Sequence, residues 1–487
     1  MASVAEAYVF LTYLKVLFLT VTTYLTCTAH NSPTRPMFSV FTSYNDSLEK
    51  THGLPTNLSW SQLASTVGED KTSSSCQPVG IYSIQRHGSR YPEQRIITTY
   101  QTFFSRIARS RINEEFAYLK NEPLDRFTVE KAECLTDKGY NELLEISARY
   151  PARLFPLFRD PVSIFTQSSF QSTETNRTKE SAEAFISGLC KECRFITPKH
   201  DEDKLILVMK DGKIYSEIHW LPILHDPLLL PKISSGICKD SIAIEEHSRE
   251  FYSFKNSPFV EEVLHHVISR LDYTGDFSMT LDELQSLYEI CATEMNLFGA
   301  SNWCKLFSQS DLRAMEYLYD LQEYWYSSYG YRINYLPYCV LLQDIASHLE
   351  SSVASGSTST KKIFKFAHST TIQGLFALLG LYRTSVIPTA DNYPLDGNWE
   401  YRGGIISPYA ANIVFSVFRC AGRSTLPNAI GDVKVLITHN EQPLKIGPCD
   451  SYYCDLTTLT SYLRSKVGSC DLDEICGGVV RDLPMKT

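Results

Sequence analysis

Val79-Gly80-Ile81-Tyr82-Ser83-Ile84-Gln85, running straight into Arg86-His87-Gly88-Ser89-Arg90-Tyr91-Pro92, is the stretch on which the reading of this chain turns. The first part is short, β-branched and aromatic, the signature of a strand. The second part ends it with glycine and proline. In an open α/β sheet, ligands sit beyond the carboxyl ends of strands, where this heptapeptide falls. Two guanidinium groups flank an imidazole. Arginine is always charged and matches phosphate oxygens bidentately. A neutral imidazole beside it is a nucleophile aimed at phosphorus. Gly88 reads as a residue that lets the backbone come close to a ligand. The competing reading is a surface turn with two solvated arginines and a packed histidine.

Working outward, Ile363 to Ala367 reads as a second strand, ending at His368, and Val433 to Thr438 as a third. Leu281, Leu284, Leu287, Ile290 and Met295 form one apolar stripe at helical spacing, and Leu312, Met315, Leu318 and Leu321 form another. Most of the helical signal lies between residues 200 and 335. The expected fold is α/β: a mixed sheet flanked by helices, with core residues 30–195 and 336–487, interrupted by a smaller, mostly helical domain at 196–335. Ser351 to Thr360, rich in Ser, Thr and Gly, reads as a loop feeding the second strand. No internal repeat is present.

The heptapeptide matches the R-H-G-x-R-x-P signature of the histidine acid phosphatase family. Five fixed residues recur by chance in roughly one of several thousand chains of this length, so the turn reading loses. Leu135-Thr136-Asp137-Lys138-Gly139 with Leu143, Leu144, Arg149 and Arg153 resembles the helix that follows the signature in that family. Arg177 with Ser181-Ala182-Glu183-Ala184-Phe185 resembles the segment supplying a third phosphate-binding arginine. Tyr329-Gly330-Tyr331, Cys339, Leu342-Gln343-Asp344-Ile345 and Ile406-Ser407-Pro408-Tyr409-Ala410-Ala411-Asn412 look most like the multiple inositol polyphosphate phosphatase branch. The resemblance spans about Cys76 to Cys476. It implies that His87 is the nucleophile that becomes phosphohistidine. It further implies that Arg86, Arg90 and Arg177 clamp the phosphate and that His368 completes the pocket. It also implies a Cys76–Cys420 bridge, and Cys470/Cys476 resembles a C-terminal pair of the same branch.

One departure stands out. After the second histidine the family carries a carboxylate, in His-Asp or His-Ala-Glu, that protonates the leaving oxygen. This chain reads His368-Ser369-Thr370-Thr371, and neither Ser369 nor Thr370 is acidic enough for that task. General acid catalysis is worth about 10²–10⁴-fold. The two hydroxyls read instead as caps of a helix starting near Thr371. Three outcomes stay open. The acid is relocated, with Glu441 or another carboxylate as the candidate. Or a neighbouring phosphate of the substrate, with a second pKa of about 6, donates the proton. Or the chain is a weakened relative that binds inositol phosphates without turnover.

Composition sets the compartment and the partners. The chain has 487 residues, 43% of them hydrophobic and 12% aromatic, with 46 basic against 55 acidic side chains and a net charge of −9. Disorder and an overall basic field for nucleic acid are both excluded. Tyr8 to Thr26 is apolar or Thr apart from Lys15. It reads as a signal peptide over 1–29, preferred to a membrane anchor because of the central lysine. Fourteen cysteines agree with export; without Cys27 an odd number remains, so one thiol is expected free or intermolecular. Cys449/Cys454 and Cys470/Cys476 are close enough for short loops, and the lone Cys190-Lys191-Glu192-Cys193 reads as structural. Asn45, Asn57 and Asn176 head glycosylation sequons. The tail, Asp482 to Thr487, carries no endoplasmic-reticulum retrieval signal, which favours secretion or a lysosomal destination. No metal, cofactor or nucleotide motif is found; the expected partners are small phosphate esters. A cytosolic phosphoglycerate-mutase-like enzyme shares the R-H-G core but fits the cysteine density poorly.

Overall fold

In β1, Cys76–Arg86, the last seven residues are all buried, as a central strand covered by helices on both faces requires. A computed structural model describes residues 37–50, 76–155, 157–159, 164, 167–190, 193–196, 204–209, 214–219, 228–231, 248–272, 277–353, 362–420 and 432–477. The expected signal peptide, the Asn57 sequon, most of the 351–360 loop and the C-terminal tail lie outside them.

After β1 come helices α1 (Gln94–Arg109) and α2 (Asp137–Ala148), strand β2 (Ser168–Ser172) and helix α3 (Asn176–Leu189). Strands β3 (Cys193–Ile196), β4 (Lys204–Met209) and β5 (Ile214–His219) form a separate antiparallel sheet that the helical spacing of this region did not announce. Helices α4 (Pro258–Leu271), α5 (Leu281–Phe298) and α6 (Gln309–Ser327) follow. Capping boxes start two of them, Thr280 with Glu283 and Ser308 with Asp311. The chain then runs through α7 (Cys339–Ser351), β6 (Lys362–Ala367), α8 (Ser369–Leu379), β7 (Asn412–Cys420), β8 (Val433–His439), β9 (Gln442–Pro443), β10 (Tyr453–Asp455) and α9 (Leu456–Val467).

The main sheet is mixed, in the order β10-β8-β7-β1-β6-β2, with β9 paired to β8. β1, β6 and β2 run parallel; β7, on the other side of β1, is antiparallel to it. Period-two alternation divides the apolar side chains between two cores. Tyr82, Ile84, Ile413, Phe415, Val417, Val435 and Ile437 join the core built with α1, α5, α6, α7 and α8. Ile81, Val414, Phe418, Leu436, Phe364 and Phe366 face α2 and α3 on the opposite side. The sequence-read strands at 79–84, 363–367 and 433–438 are all present, and both apolar stripes are helices. The expected α/β class, a mixed sheet flanked by helices, is the fold observed.

Covalent links staple this arrangement. Cys76–Cys420 joins the first residue of β1 to the last of β7, and Cys449–Cys454 closes a short loop, both as expected. The Cys470–Cys476 pairing is corrected: Cys470 bonds Cys339, and Cys476 is bridged elsewhere. Cys470 lies just past α9, and α9 packs along α7, whose first residue is Cys339; proximity in space overrides proximity in sequence. Cys291–Cys304 is a further bridge that spacing did not single out, and Cys190 is also bonded. Cys134 is exposed and free. The Cys76–Cys420 bridge closes a span of 344 residues, so the Cys76→Ser/Cys420→Ser variant is expected to lose about 2–5 kcal/mol. The urea midpoint under oxidising conditions measures the loss.

Candidate active site

Register brings the site together. In the parallel pairs, Arg86 lies opposite Ala367 and Ser172 opposite Phe366. The residues that leave the three strands, His87, His368 and Thr173, therefore emerge side by side. The His87 amide donates to the Ala367 carbonyl at 3.0 Å and the Thr173 amide to Phe366 at 3.1 Å. The His87 and His368 rings lie 5.5 Å apart, and His368 Nε2 is 2.9 Å from Thr173 Oγ1.

His87 is buried, and its Nδ1 lies 2.9 Å from the Gly88 carbonyl oxygen. A carbonyl only accepts, so Nδ1 carries the proton and the Nε2 lone pair is the free one. Burial, then the charges of Arg86 and Arg177, hold the His87 pKa well below the ordinary histidine value. Burial, Arg177, Arg86 and Arg90 together push His368 down to about 3. Both imidazoles are thus neutral in the unliganded site.

Three arginines surround them. Arg86 Nη1 donates to the Val40 and Ser407 carbonyls at 2.7 and 2.6 Å, and its guanidinium stacks over Tyr409 at 4.4 Å. Burial brings the Arg86 pKa down to about 10. Arg90 Nη1 donates to the Tyr91 carbonyl, and its Nη2 stands 3.5 Å from Glu93. Arg177, in the first turn of α3, pairs with Glu133 at 3.3 Å. The Nε groups of Arg86 and Arg177 are buried without a hydrogen-bond acceptor among the described residues. Buried donors cost free energy unless paired, and an anion between these groups pairs them. The described residues hold no group of three or more His, Cys, Asp or Glu side chains that could bind a metal.

The signature loop is held from α2. Thr136 caps that helix by accepting from the Gly139 amide at 3.1 Å, while its own hydroxyl donates to the Ser89 carbonyl at 2.8 Å. The buried Glu142 accepts from the Ser89 amide and hydroxyl, both at 2.9 Å. Gly88 is needed for packing against this helix: a Cβ there would stand 2.2 Å from the Gly139 carbonyl oxygen. That close approach is to a second backbone, which corrects the expectation that Gly88 makes room for a ligand. Its amide donates to Ser181 Oγ at 3.1 Å.

The proton-donor positions are also revised. α8 begins at Ser369 with His368 as the N-cap residue, and no side chain caps it. Ser369 and Thr370 are half-buried in the first turn; Thr370 hydrogen-bonds the Tyr338 hydroxyl, and Thr371 donates to the Leu229 carbonyl. Glu441 is committed elsewhere: it accepts from Arg149 at 2.8 and 2.5 Å, from Arg153 at 2.5 Å and from Tyr44 at 3.0 Å. Spacing along the chain gave no sign of three carboxyls near the arginines, Glu133, Glu289 and Glu323, which come from other parts of the fold. Burial raises the pKa of Glu289 to about 7 and raises that of Glu323. Asn45 and Asn176 are exposed.

A model of the histidine phosphatase superfamily, branch 2, matches residues 80–438. The chain is 26% identical over 410 residues to multiple inositol polyphosphate phosphatase 1 of Gallus gallus, covering 82% of this chain and 84% of the relative. It is 26% identical over 425 residues to the Homo sapiens protein of the same name, covering 82% of each. The Bifidobacterium longum multiple inositol polyphosphate phosphatase in complex with phosphate superposes with a TM-score of 0.66 at 18% identity, over 90% of this chain and 99% of that one. The D. castellii phytase superposes with a TM-score of 0.65 at 18% identity, over 82% of each. At such identity the two structures speak to the fold alone.

Depressed histidine pKa values carry a stability consequence. The unfolded chain binds protons below about 6.5 that native His87 and His368 refuse. Their contribution is complete above that pH and is lost as the pH falls toward the folded values. The melting temperature of the free protein is expected to drop between pH 6.5 and 4, and His368→Asn to flatten the drop. Adding inorganic phosphate at pH 5 is expected to recover much of it, as scanning calorimetry would read.

Proposed function

The chain belongs to branch 2 of the histidine phosphatase superfamily and is a phosphoric monoester hydrolase, and from that premise we propose that it dephosphorylates inositol polyphosphates of the phytate type through a phosphohistidine at His87. 2,3-Bisphosphoglycerate-type esters are a second candidate substrate. One observation carries the reading: a neutral imidazole with a free Nε2 lone pair, enclosed by Arg86, Arg90 and Arg177. Nε2 attacks phosphorus, the P–O bond to the ring breaks, and water then releases inorganic phosphate from the imidazole. The arginines offset charge on the transferring group, and His368 donates to a phosphate oxygen once the dianion has raised its proton affinity. A substrate with many phosphates suits such a concentration of positive charge. The names of the relatives point the same way.

Localisation forms part of the proposal. The described residues contain several disulfides and no helix long and apolar enough to cross a membrane. Together with the apolar amino terminus they support a secreted or secretory-pathway protein, glycosylated at Asn45 and Asn176. Residues 196–335 are taken as an insert contributing α5 and α6 to the rim of the site. Ser369 and Thr370, where the family has a carboxylate, favour one competing reading, in which phosphate esters bind without turnover.

Phosphate release from phytate and from 4-nitrophenyl phosphate, at pH 4 to 7.5, separates the two. Release from both is expected, persisting at pH 5 because His87 stays unprotonated there, and His87→Ala is expected to abolish it. Acid-quenched protein should carry an acid-labile phosphoryl group on His87. No turnover, with phytate still raising the melting temperature, would establish the binding reading instead.

A further inference from the structure

The segment after His368 lacks an acid, so the question is which carboxyl stands nearest the vacated role. Glu142 and Glu441 are saturated by Ser89 and by Arg149, Arg153 and Tyr44. Glu133 and Glu93 are ion-paired with Arg177 and Arg90. Glu289, on α5, is 6% exposed and accepts from Tyr319.

Glu323, on α6, differs. It is half-buried, and among the described residues its Oε2 alone is held, by Gln373 Nε2 at 2.6 Å. Gln373 is itself fixed: Nε2 also donates to Ser407 Oγ at 2.7 Å, and Oε1 accepts from Tyr401 at 2.8 Å. The Ser407 carbonyl in turn takes the Arg86 hydrogen bond at 2.6 Å. Ser369 and Gln373 are four apart on α8, hence on one helix face. The Glu323 carboxyl is therefore anchored to the residue one helical turn beyond Ser369, and three hydrogen bonds link it through Gln373 and Ser407 to Arg86.

We propose that Glu323 is the relocated general acid, delivering from α6 the proton that residues 369 and 370 cannot supply. The inference rests on the phosphatase reading and names the group that completes it. In the first step the His87 Nε2 lone pair forms the N–P bond, and the P–O bond breaks with its electron pair on the ring oxygen. The Glu323 carboxyl protonates that oxygen to the alcohol. In the second step the Glu323 carboxylate takes a proton from water as its oxygen attacks phosphorus. The P–N pair returns to Nε2, and the acid is regenerated. Its surroundings suit the role: burial and Asp320 raise its pKa, opposed by Gln373, Arg86 and Arg90, with Tyr326 and Tyr401 also facing it.

The test compares wild type, Glu323→Gln and His87→Ala on phytate and 4-nitrophenyl phosphate. Glu323→Gln is expected to lose about 10²–10⁴-fold in kcat on phytate. On the aryl ester it should give a burst of nitrophenol stoichiometric with protein, because nitrophenolate leaves unaided while water is no longer activated. The wild-type fall in kcat toward high pH should vanish in the variant. Equal loss on the first step of both substrates, no loss on either, or the selective loss appearing in Glu289→Gln instead would overturn the assignment. Absence of His87-dependent release by wild type would instead fail the phosphatase reading itself. Should Glu323→Gln not fold, Gln373→Leu carries the test: it frees the carboxyl from its anchor, and the same selectivity for the poor leaving group is expected. An unselective effect overturns the proposal.

Discussion

The parallel register of β1, β6 and β2 is the constraint on which the site depends. Backbone hydrogen bonds fix it, and a slip of one residue would turn the side chains of an entire strand to the other face. With Arg86 opposite Ala367, the two histidines come off adjacent strand ends at matched height. The antiparallel partner β7 begins beside the same edge and brings Tyr409 under Arg86. The bridge from Cys76 to Cys420 sits at the far end of the same strand pair.

Gathering three guanidinium groups and two imidazoles in one place opposes folding, and several devices offset it. Both histidines stay neutral. Arg86 rests on backbone carbonyls and an aromatic face, and Arg90 and Arg177 lean on rim carboxylates. Behind them, Glu142 holds the signature loop and Glu441 ties Arg149, Arg153 and Tyr44 together. The same carboxyl chemistry thus serves two ends. A glutamate saturated with donors is scaffolding, while one held through a single oxygen, like Glu323, suits the acid role proposed for it.

Much of this was legible along the chain because strand chemistry and the R-H-G-x-R-x-P run are local. The strands at 79–84, 363–367 and 433–438 and the stripes on α5 and α6 follow from side-chain period and β-branching. Other elements left weaker traces. β2, Ser168-Ser-Phe-Gln-Ser172, has one apolar residue and is a strand because it pairs with β6. The pairing of Cys470 with Cys339 depends on α9 lying along α7, which spacing does not encode.

By itself the sequence determined the family and the side chains on which the proposed chemistry rests, the His87 imidazole, the guanidinium groups of Arg86, Arg90 and Arg177, and the want of an acid after His368, since those residues are contiguous or carry recognisable neighbours. Tertiary structure alone decided the tautomer of His87, set by the Gly88 carbonyl 2.9 Å away, and the use of Gly88 against Gly139. It also decided which of many glutamates stand by the arginines. Glu323 and Gln373 are 50 residues apart, on helices whose packing follows from the whole core, and no local pattern foretells a contact that only the closed fold creates.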